Sequence, residues 1–195
     1  VMDLLRLYEA PLATREQLER VHQPAYLDSL AARSPAEGLV HLDPDTAMNA
    51  HTLEAAHRAA GAAVMATDRV LDGSVQNAFC CVRPPGHHAM PGEAMGFCFF
   101  NNVAVGAAHA LAVHGLERVA VLDFDVHHGN GTEAIFERDS RVMVCSTYQH
   151  PLYPFSGAPS IPGRIINVEL PAETRGQDYR LAIDTFWRPA LERFR

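Results

Sequence analysis

The feature that most constrains this chain is a short apolar run that ends in a dense group of acids and histidines. Residues Val119–Leu122 are all apolar, and charged residues and glycines follow directly: Asp123-Phe124-Asp125-Val126-His127-His128-Gly129-Asn130-Gly131. This pattern predicts a buried strand. Alternation along a strand would place Asp123, Asp125 and His127 on one side. Unpaired charges in a protein interior cost several kcal/mol each, so we expect a metal ion or charged partners close by.

Composition fits a soluble globular protein that forms one domain or part of one. Of the 195 residues, 48% are hydrophobic and 20% are charged. A formal net charge of −7 without a Lys/Arg cluster argues against nucleic-acid binding. The sequence shows neither a signal peptide nor a transmembrane run of ~18 apolar residues. The cysteines have no CxxC spacing, which predicts reduced core residues and a cytoplasmic location: Cys80, Cys81, Cys98 and Cys145.

Strand and helix patterns alternate along most of the chain. The pattern predicts strands near residues 77–82, 119–122, 141–146 and 165–169. It predicts helices from Thr14, at residues 26–32, from Asp43 to about Leu71, at about 101–114, at 132–136 and at 177–194. This order indicates a single α/β domain over residues 1–195, with a mainly parallel sheet covered by helices on both faces. Functional sites in such sheets form beyond the carboxyl ends of the strands.

A second polar turn follows the predicted strand at 77–82. Its prolines and Gly86 would hold His87 and His88 at a strand's carboxyl end, where they could meet the turn after Asp123. Histidine and aspartate suit zinc, and a zinc-bound water has its pKa lowered to about 7. An imidazole of the His87-His88 pair could then act as general base and acid, oriented by Asp123 or Asn130.

Three motifs in this order resemble the histone deacetylase family, including its bacterial amidohydrolase and acetylpolyamine amidohydrolase members. They are Arg83-Pro84-Pro85-Gly86-His87-His88-Ala89, Gly96-Phe97-Cys98-Phe99-Phe100-Asn101-Asn102, and the stretch from Asp123 to Gly131. The resemblance covers nearly the whole chain and implies the three-layer α/β fold of arginases and deacetylases. It also implies zinc-dependent hydrolysis of N-acetyl amides on lysine or a polyamine.

The resemblance assigns roles to the histidines and their partners. His88 would be the main general base and acid, and His87 would assist it while hydrogen-bonded to Asp123. Asn130 would orient His88, and an asparagine at this position resembles class II and bacterial members. Asp125 and His127 would bind the single zinc ion.

The resemblance also implies substrate and cation contacts. Gly96 and Phe97 would line the acyl-lysine tunnel, Tyr153 would form its opposite wall, and Asp45 would grip the substrate backbone. Near Tyr153 the sequence departs from the family's Pro-Gly-x-Gly pattern. A structural potassium ion would bind at Asp123, Asp125, His127 and Ser146.

Other family features are missing from these 195 residues. The third zinc ligand, the Gly-Gly pair before the electrophilic tyrosine and the His-Pro-Glu opening do not occur. We therefore expect a deacetylase domain that is truncated at both ends and inactive on its own. A non-catalytic acyl-lysine-binding pseudoenzyme and an arginase-type ureohydrolase are the alternatives. The sequence does not decide whether the chain forms a homo-oligomer.

Overall fold

The first part of the chain is mainly helical. The computed structural model describes residues 5–157 and 159–195. The predicted capping box at Thr14 is present, since its hydroxyl accepts the Gln17 N–H and the Gln17 side chain accepts the Thr14 N–H. The elements up to residue 71 are α1 (Arg15–Glu19), α2 (Pro24–Arg33), the antiparallel pair β1 (Val40–His41) and β2 (Ala47–Met48), and α3 (Thr52–Leu71).

The remainder alternates helices and strands. Its elements are α4 (Asn102–Val113), β3 (Val119–Asp123), α5 (Asn130–Phe136), β4 (Val142–Gln149), β5 (Ile165–Leu170), α6 (Gly176–Ala182), a π-helical turn (Ile183–Trp187) and α7 (Arg188–Phe194). The last three strands form one sheet in the order β3-β4-β5, and both pairings are parallel. The predicted α/β class with a parallel sheet is confirmed.

Strand β4 lies at the centre of the core. Seven of its eight residues are buried, as a strand covered on both faces requires. Val142 and Val144 pack into a large cluster with residues of α1–α4, whereas Met143 and Cys145 pack with residues of α6 and α7. Helices therefore cover both faces of the sheet. No helix among the described residues is long and apolar enough to cross a membrane.

The strand predicted at residues 77–82 is wrong. This segment has no regular structure, and Phe79 is 90% exposed. The described residues provide no strand beside it, because the sheet ends at β3. Without a neighbour to accept its backbone hydrogen bonds, an apolar segment is not buried as a strand.

Two predicted helices also differ from the structure. Asp43 does not begin α3, because its carboxylate accepts the N–H groups of Asp45 and Thr46 and closes the turn between β1 and β2. The C-terminal helix includes a π-helical turn that shifts its buried side. Leu181 and Phe186 are exposed, and the buried residues are Ala182, Trp187 and Ala190.

The cysteines divide into two pairs, which corrects the prediction that all four lie in the core. Cys80 and Cys81 are exposed in the irregular segment after α3, while Cys98 and Cys145 are buried. Burial raises the pKa of both buried thiols to about 12. Their reactive thiolate forms are therefore rare in the native protein.

This division predicts how the native protein reacts with a water-soluble aromatic disulfide that reports thiols by absorbance. Cys80 and Cys81 should react first, and Cys98 and Cys145 should react only after denaturation in guanidinium chloride. The double variant Cys80→Ser/Cys81→Ser should show no fast reaction. Fast reaction of all four thiols in the native protein would contradict the described burial.

Candidate active site

The chain turns sharply where β3 ends. Instead of continuing as a strand, Asp123 accepts the Asp125 N–H through Oδ1 at 3.1 Å, and Asp125 accepts the His127 N–H through Oδ1 at 2.8 Å. Aspartate side chains commonly close turns in this way. Two carboxylates therefore fix the backbone that carries the predicted metal ligands, while Phe124 and Val126 are exposed.

His87 and Asp123 form a mostly buried pair beside this turn. His87 Nδ1 donates to Asp123 Oδ2 at 2.9 Å, and the two side chains are 16% and 11% exposed. Burial alone would lower the pKa of His87, but the hydrogen bond and the charges of Asp123 and Asp125 raise it. The contact depends on Gly129, since a Cβ there would lie 2.3 Å from Asp123 Oδ2.

His88 has a different partner, and its pKa is shifted in the opposite direction. Its Nδ1 lies 2.7 Å from Asn130 Oδ1, and the Asn130 amide nitrogen faces the sulfur atoms of Met90 and Met95 at 3.3 and 3.2 Å. An amide oxygen can only accept, so the proton of neutral His88 is assigned to Nδ1 and the Nε2 lone pair is free. Burial and the neighbouring His87 lower the pKa of His88 to about 4.

Asp125 and His127 offer ligand atoms to a common ion. Asp125 Oδ1 and His127 Nδ1 are 2.9 Å apart, and the side chains are 49% and 37% exposed. Burial would raise the pKa of Asp125, but the His127 N–H and the His87 charge lower it. One carboxylate oxygen and one imidazole nitrogen fit zinc. Among the described residues, no third histidine, cysteine or acid completes a set of ligand atoms within 4.8 Å of one another here.

The predicted substrate residues lie around the same histidines. The Tyr153 ring meets those of His88 and His127 edge to face, with centroids 5.1 and 6.1 Å away. A Cβ on Gly96 would lie 2.5 Å from His88 Cδ2, so only glycine lets this loop approach the imidazole. Phe97 follows and is 62% exposed.

Asp45 lies on the exposed turn between β1 and β2. Burial raises the pKa of Tyr153, and the charges of Asp43 and Asp45 raise it further. The same turn contacts the loop after Gly96, because Thr46 Oγ1 accepts the Phe97 N–H at 3.1 Å. The turn between β1 and β2 therefore interacts with both predicted tunnel walls, with Phe97 through a hydrogen bond and with Tyr153 through the charges of Asp43 and Asp45.

Ser146 lies opposite Asp123 in the parallel register of β3 and β4. Its hydroxyl oxygen is buried and has no hydrogen-bond partner within the described part of the chain. An unpartnered buried hydroxyl is costly unless another polar group or an ion satisfies it. The oxygen therefore fits the potassium ligand set predicted at Asp123, Asp125, His127 and Ser146.

A buried network around His128 was missed by sequence reasoning. His128 Nε2 donates to Glu133 at 2.8 Å, and His128 Nδ1 lies 3.0 Å from Ser156 Oγ. The Asn167 amide also donates to Glu133, at 2.7 Å. This network ties the histidine turn to α5 and β5. The sequence indicates this network only through His128, which directly follows His127 and would face the opposite side of the chain.

A second hydrogen-bond network, which the sequence did not predict, supports the His87-His88 turn. Asn101, fully buried, donates its side-chain amide to the Ala89 carbonyl at 3.3 Å and to Thr132 Oγ1 at 3.1 Å. Its backbone N–H donates to His22 Nε2 at 3.0 Å. Burial lowers the pKa of His22 to about 4, which keeps this nitrogen available as an acceptor.

Comparison with known proteins identifies relatives over nearly the whole chain. The histone deacetylase-like amidohydrolase of Pseudomonas aeruginosa is 46% identical over 198 aligned positions, covering 98% of this chain and 52% of the relative. The polyamine deacetylase HDAC10 of Homo sapiens is 43% identical, covering 71% of this chain and 21% of the relative.

The fold matches as well. The crystal structure of the HDA15 HD domain superimposes with a TM-score of 0.88 at 35% identity, covering 96% of this chain and 57% of that one. The chain thus spans about half the length of the bacterial amidohydrolase and of the solved domain. Residues 1–195 match the family described as "Histone deacetylase domain". The chain belongs to the histone deacetylase domain family.

Proposed function

We propose that this chain provides the general-base histidine and two metal ligands of a zinc-dependent deacetylase that hydrolyses N-acyl amides of lysine or of a polyamine. The observation that carries the proposal is the adjacent pair His87 and His88, one bound to a carboxylate and the other to an amide. Both histidines lie beside the ligand atoms of Asp125 and His127.

Asp125 and His127 would hold the zinc ion, together with a third ligand from outside the described residues. Bound zinc supplies Lewis-acid polarisation of the acyl carbonyl and lowers the pKa of a bound water to about 7. Asp125 Oδ1 and His127 Nδ1 suit this ion as ligand atoms. Asp123 accepts the Asp125 N–H and so fixes the backbone that carries them. A potassium ion at the neighbouring Ser146 hydroxyl would stabilise the same turn.

His88 would carry the proton. Its Nε2 lone pair can accept a proton from the attacking water and later deliver it to the departing amine. Asn130 orients the ring without adding negative charge, so His88 stays neutral and ready to accept. The Asp123 carboxylate favours protonated His87, which places a positive charge beside the site where negative charge develops.

The substrate would reach these groups between Phe97 and Tyr153, with the Gly96 backbone against His88. Asp45, exposed nearby, would accept a hydrogen bond from a substrate N–H group or attract its charged amine. The name of the human relative favours a polyamine, and that of the bacterial relative favours a broader amide substrate. Two buried free cysteines, Cys98 and Cys145, support a reducing, cytoplasmic location.

The isolated chain of 195 residues should hydrolyse an acetyl-lysine reporter slowly or not at all, because Asp125 and His127 are the only zinc ligands proposed here among the described residues. A fluorogenic acetyl-lysine substrate with added zinc measures the rate. Robust zinc-dependent turnover by this chain alone would refute the need for a third ligand.

The role of His88 can be tested in a chimera that joins this chain to the unmatched half of the P. aeruginosa amidohydrolase. His88→Ala should lower kcat by about 10²–10⁴-fold while zinc content is unchanged. His41→Ala, at an exposed histidine on β1, is the matched control and should retain full activity. Unchanged turnover in the His88 variant would show that His88 is not the base.

Asn130→Asp tests how the charge of His88 is controlled. A carboxylate in place of the amide oxygen adds a charge-assisted hydrogen bond, so the pKa of His88 should rise clearly above its value of about 4. The protonated form then persists to higher pH. NMR titration of the His88 ring protons measures the shift in the isolated chain, with His41 as internal control. An unchanged or lower pKa would contradict the contact with Asn130.

A further inference from the structure

Two histidines and an aspartate meet where α3 and α4 pack together, at the edge of the contact between the helices. His109 lies on α4, His114 follows its last turn, and Asp68 lies near the end of α3. Both Nε2 atoms lie 2.7 Å from the same oxygen, Asp68 Oδ1. The ligand atoms of all three side chains lie within 4.8 Å of one another.

This cluster is separate from the candidate active site. Helix α4 begins at Asn102, whose side chain contacts Pro84 beside the histidine turn. His114 follows the last turn of this 12-residue helix, about 18 Å from Asn102 at about 1.5 Å per residue. Asp68, His109 and His114 therefore lie outside the proposed catalytic site.

We propose that Asp68, His109 and His114 form a second metal site, which binds Zn²⁺ or a similar divalent transition-metal ion. Two imidazole nitrogens and one carboxylate oxygen are a common ligand set for such ions. The ligands come from two packed helices, so most of their positions are fixed before an ion binds. His109 is 5% exposed, whereas the side chains of His114 and Asp68 are 25% and 45% exposed, leaving a side open to water.

Only a small movement would admit the ion. Zinc–ligand distances of about 2.1 Å in tetrahedral geometry separate neighbouring ligand atoms by about 3.4 Å. The present N···O distances are 2.7 Å, so each would need to open by about 0.7 Å. The half-exposed Asp68 side chain can make this movement by rotation, while the helix backbones stay in place.

Arg20 opposes metal binding. Its guanidinium donates to His109 Nδ1 at 2.9 Å, and a guanidinium cannot accept. Neutral His109 must therefore carry its proton on Nε2, the nitrogen that the metal would need. His114 Nε2 also donates to the Asp68 carboxylate, so metal binding moves the Nε2 protons of both histidines to Nδ1. It also displaces Arg20, which remains paired with Glu16 on α1. Arg20 should thus weaken the site, and a glutamine in its place could accept the Nδ1 proton.

The test uses a background that carries Asp125→Asn and His127→Gln, so that ligands of the proposed catalytic zinc do not contribute. Equilibrium dialysis against Zn²⁺ with elemental analysis should show one bound zinc per chain. His114→Gln and Asp68→Asn, both at partly exposed positions, should each weaken binding at least about tenfold. Arg20→Gln should strengthen it severalfold. His51→Gln, at an exposed histidine, is the matched control and should bind like the background.

A second measurement separates metal binding from folding defects. At a hundredfold excess over Kd, zinc should raise the Tm of the background protein by about 5–10 °C and leave that of its His114→Gln form unchanged. Without zinc the two proteins should melt at similar temperatures. Absence of bound zinc in the background, or equal zinc binding by its His114→Gln form, would overturn the site. Weaker binding after Arg20→Gln would overturn the inhibitory role of Arg20.

Discussion

Asp123 joins the sheet, the metal-ligand turn and the histidine pair. Asp123 is the last residue of β3, and it pairs in register with Ser146 on the buried strand β4. One carboxylate oxygen closes the turn to Asp125, and the other accepts from His87. Because β4 is packed on both faces, its pairing with β3 fixes the position of Asp123 at the candidate site. Gly129 leaves the space that this carboxylate occupies.

Neighbouring histidines differ here because their partners differ. His87 faces a carboxylate and is biased toward the charged form, whereas His88 faces an amide oxygen and is biased toward the neutral form. Adjacent positions in the chain therefore have pKa values shifted in opposite directions. Such a division suits chemistry that needs a base and a nearby positive charge together.

The sequence was most informative where local residue types determine the structure. The capping box at Thr14 and the apolar run before Asp123 involve neighbours in the chain, so their patterns could be read directly. The resemblance implied the partners of His87 and His88, and both contacts are present although the strand predicted before these histidines is not. The roles assigned to these residues stay predictions.

Other features depend on groups distant in sequence. The segment at 77–82 has the composition of a buried strand, but burial requires a neighbour that its own residues do not specify. Glu133 is held by Asn167, 34 positions away, and nothing local to either residue indicates the contact. Asp43 is a residue type that commonly starts a helix, but here its carboxylate closes a short turn instead. Long-range pairing explains most of these differences.

Phe97 is held in place by a residue that is distant in sequence. It has a φ of +66°, which is unfavourable for a residue with a bulky side chain, and its N–H is held by the Thr46 hydroxyl. The Phe97 backbone is therefore held by the β1–β2 hairpin, about fifty positions earlier in the chain. A substitution that removes the Thr46 hydroxyl would therefore alter a candidate substrate contact from outside the loop that carries it.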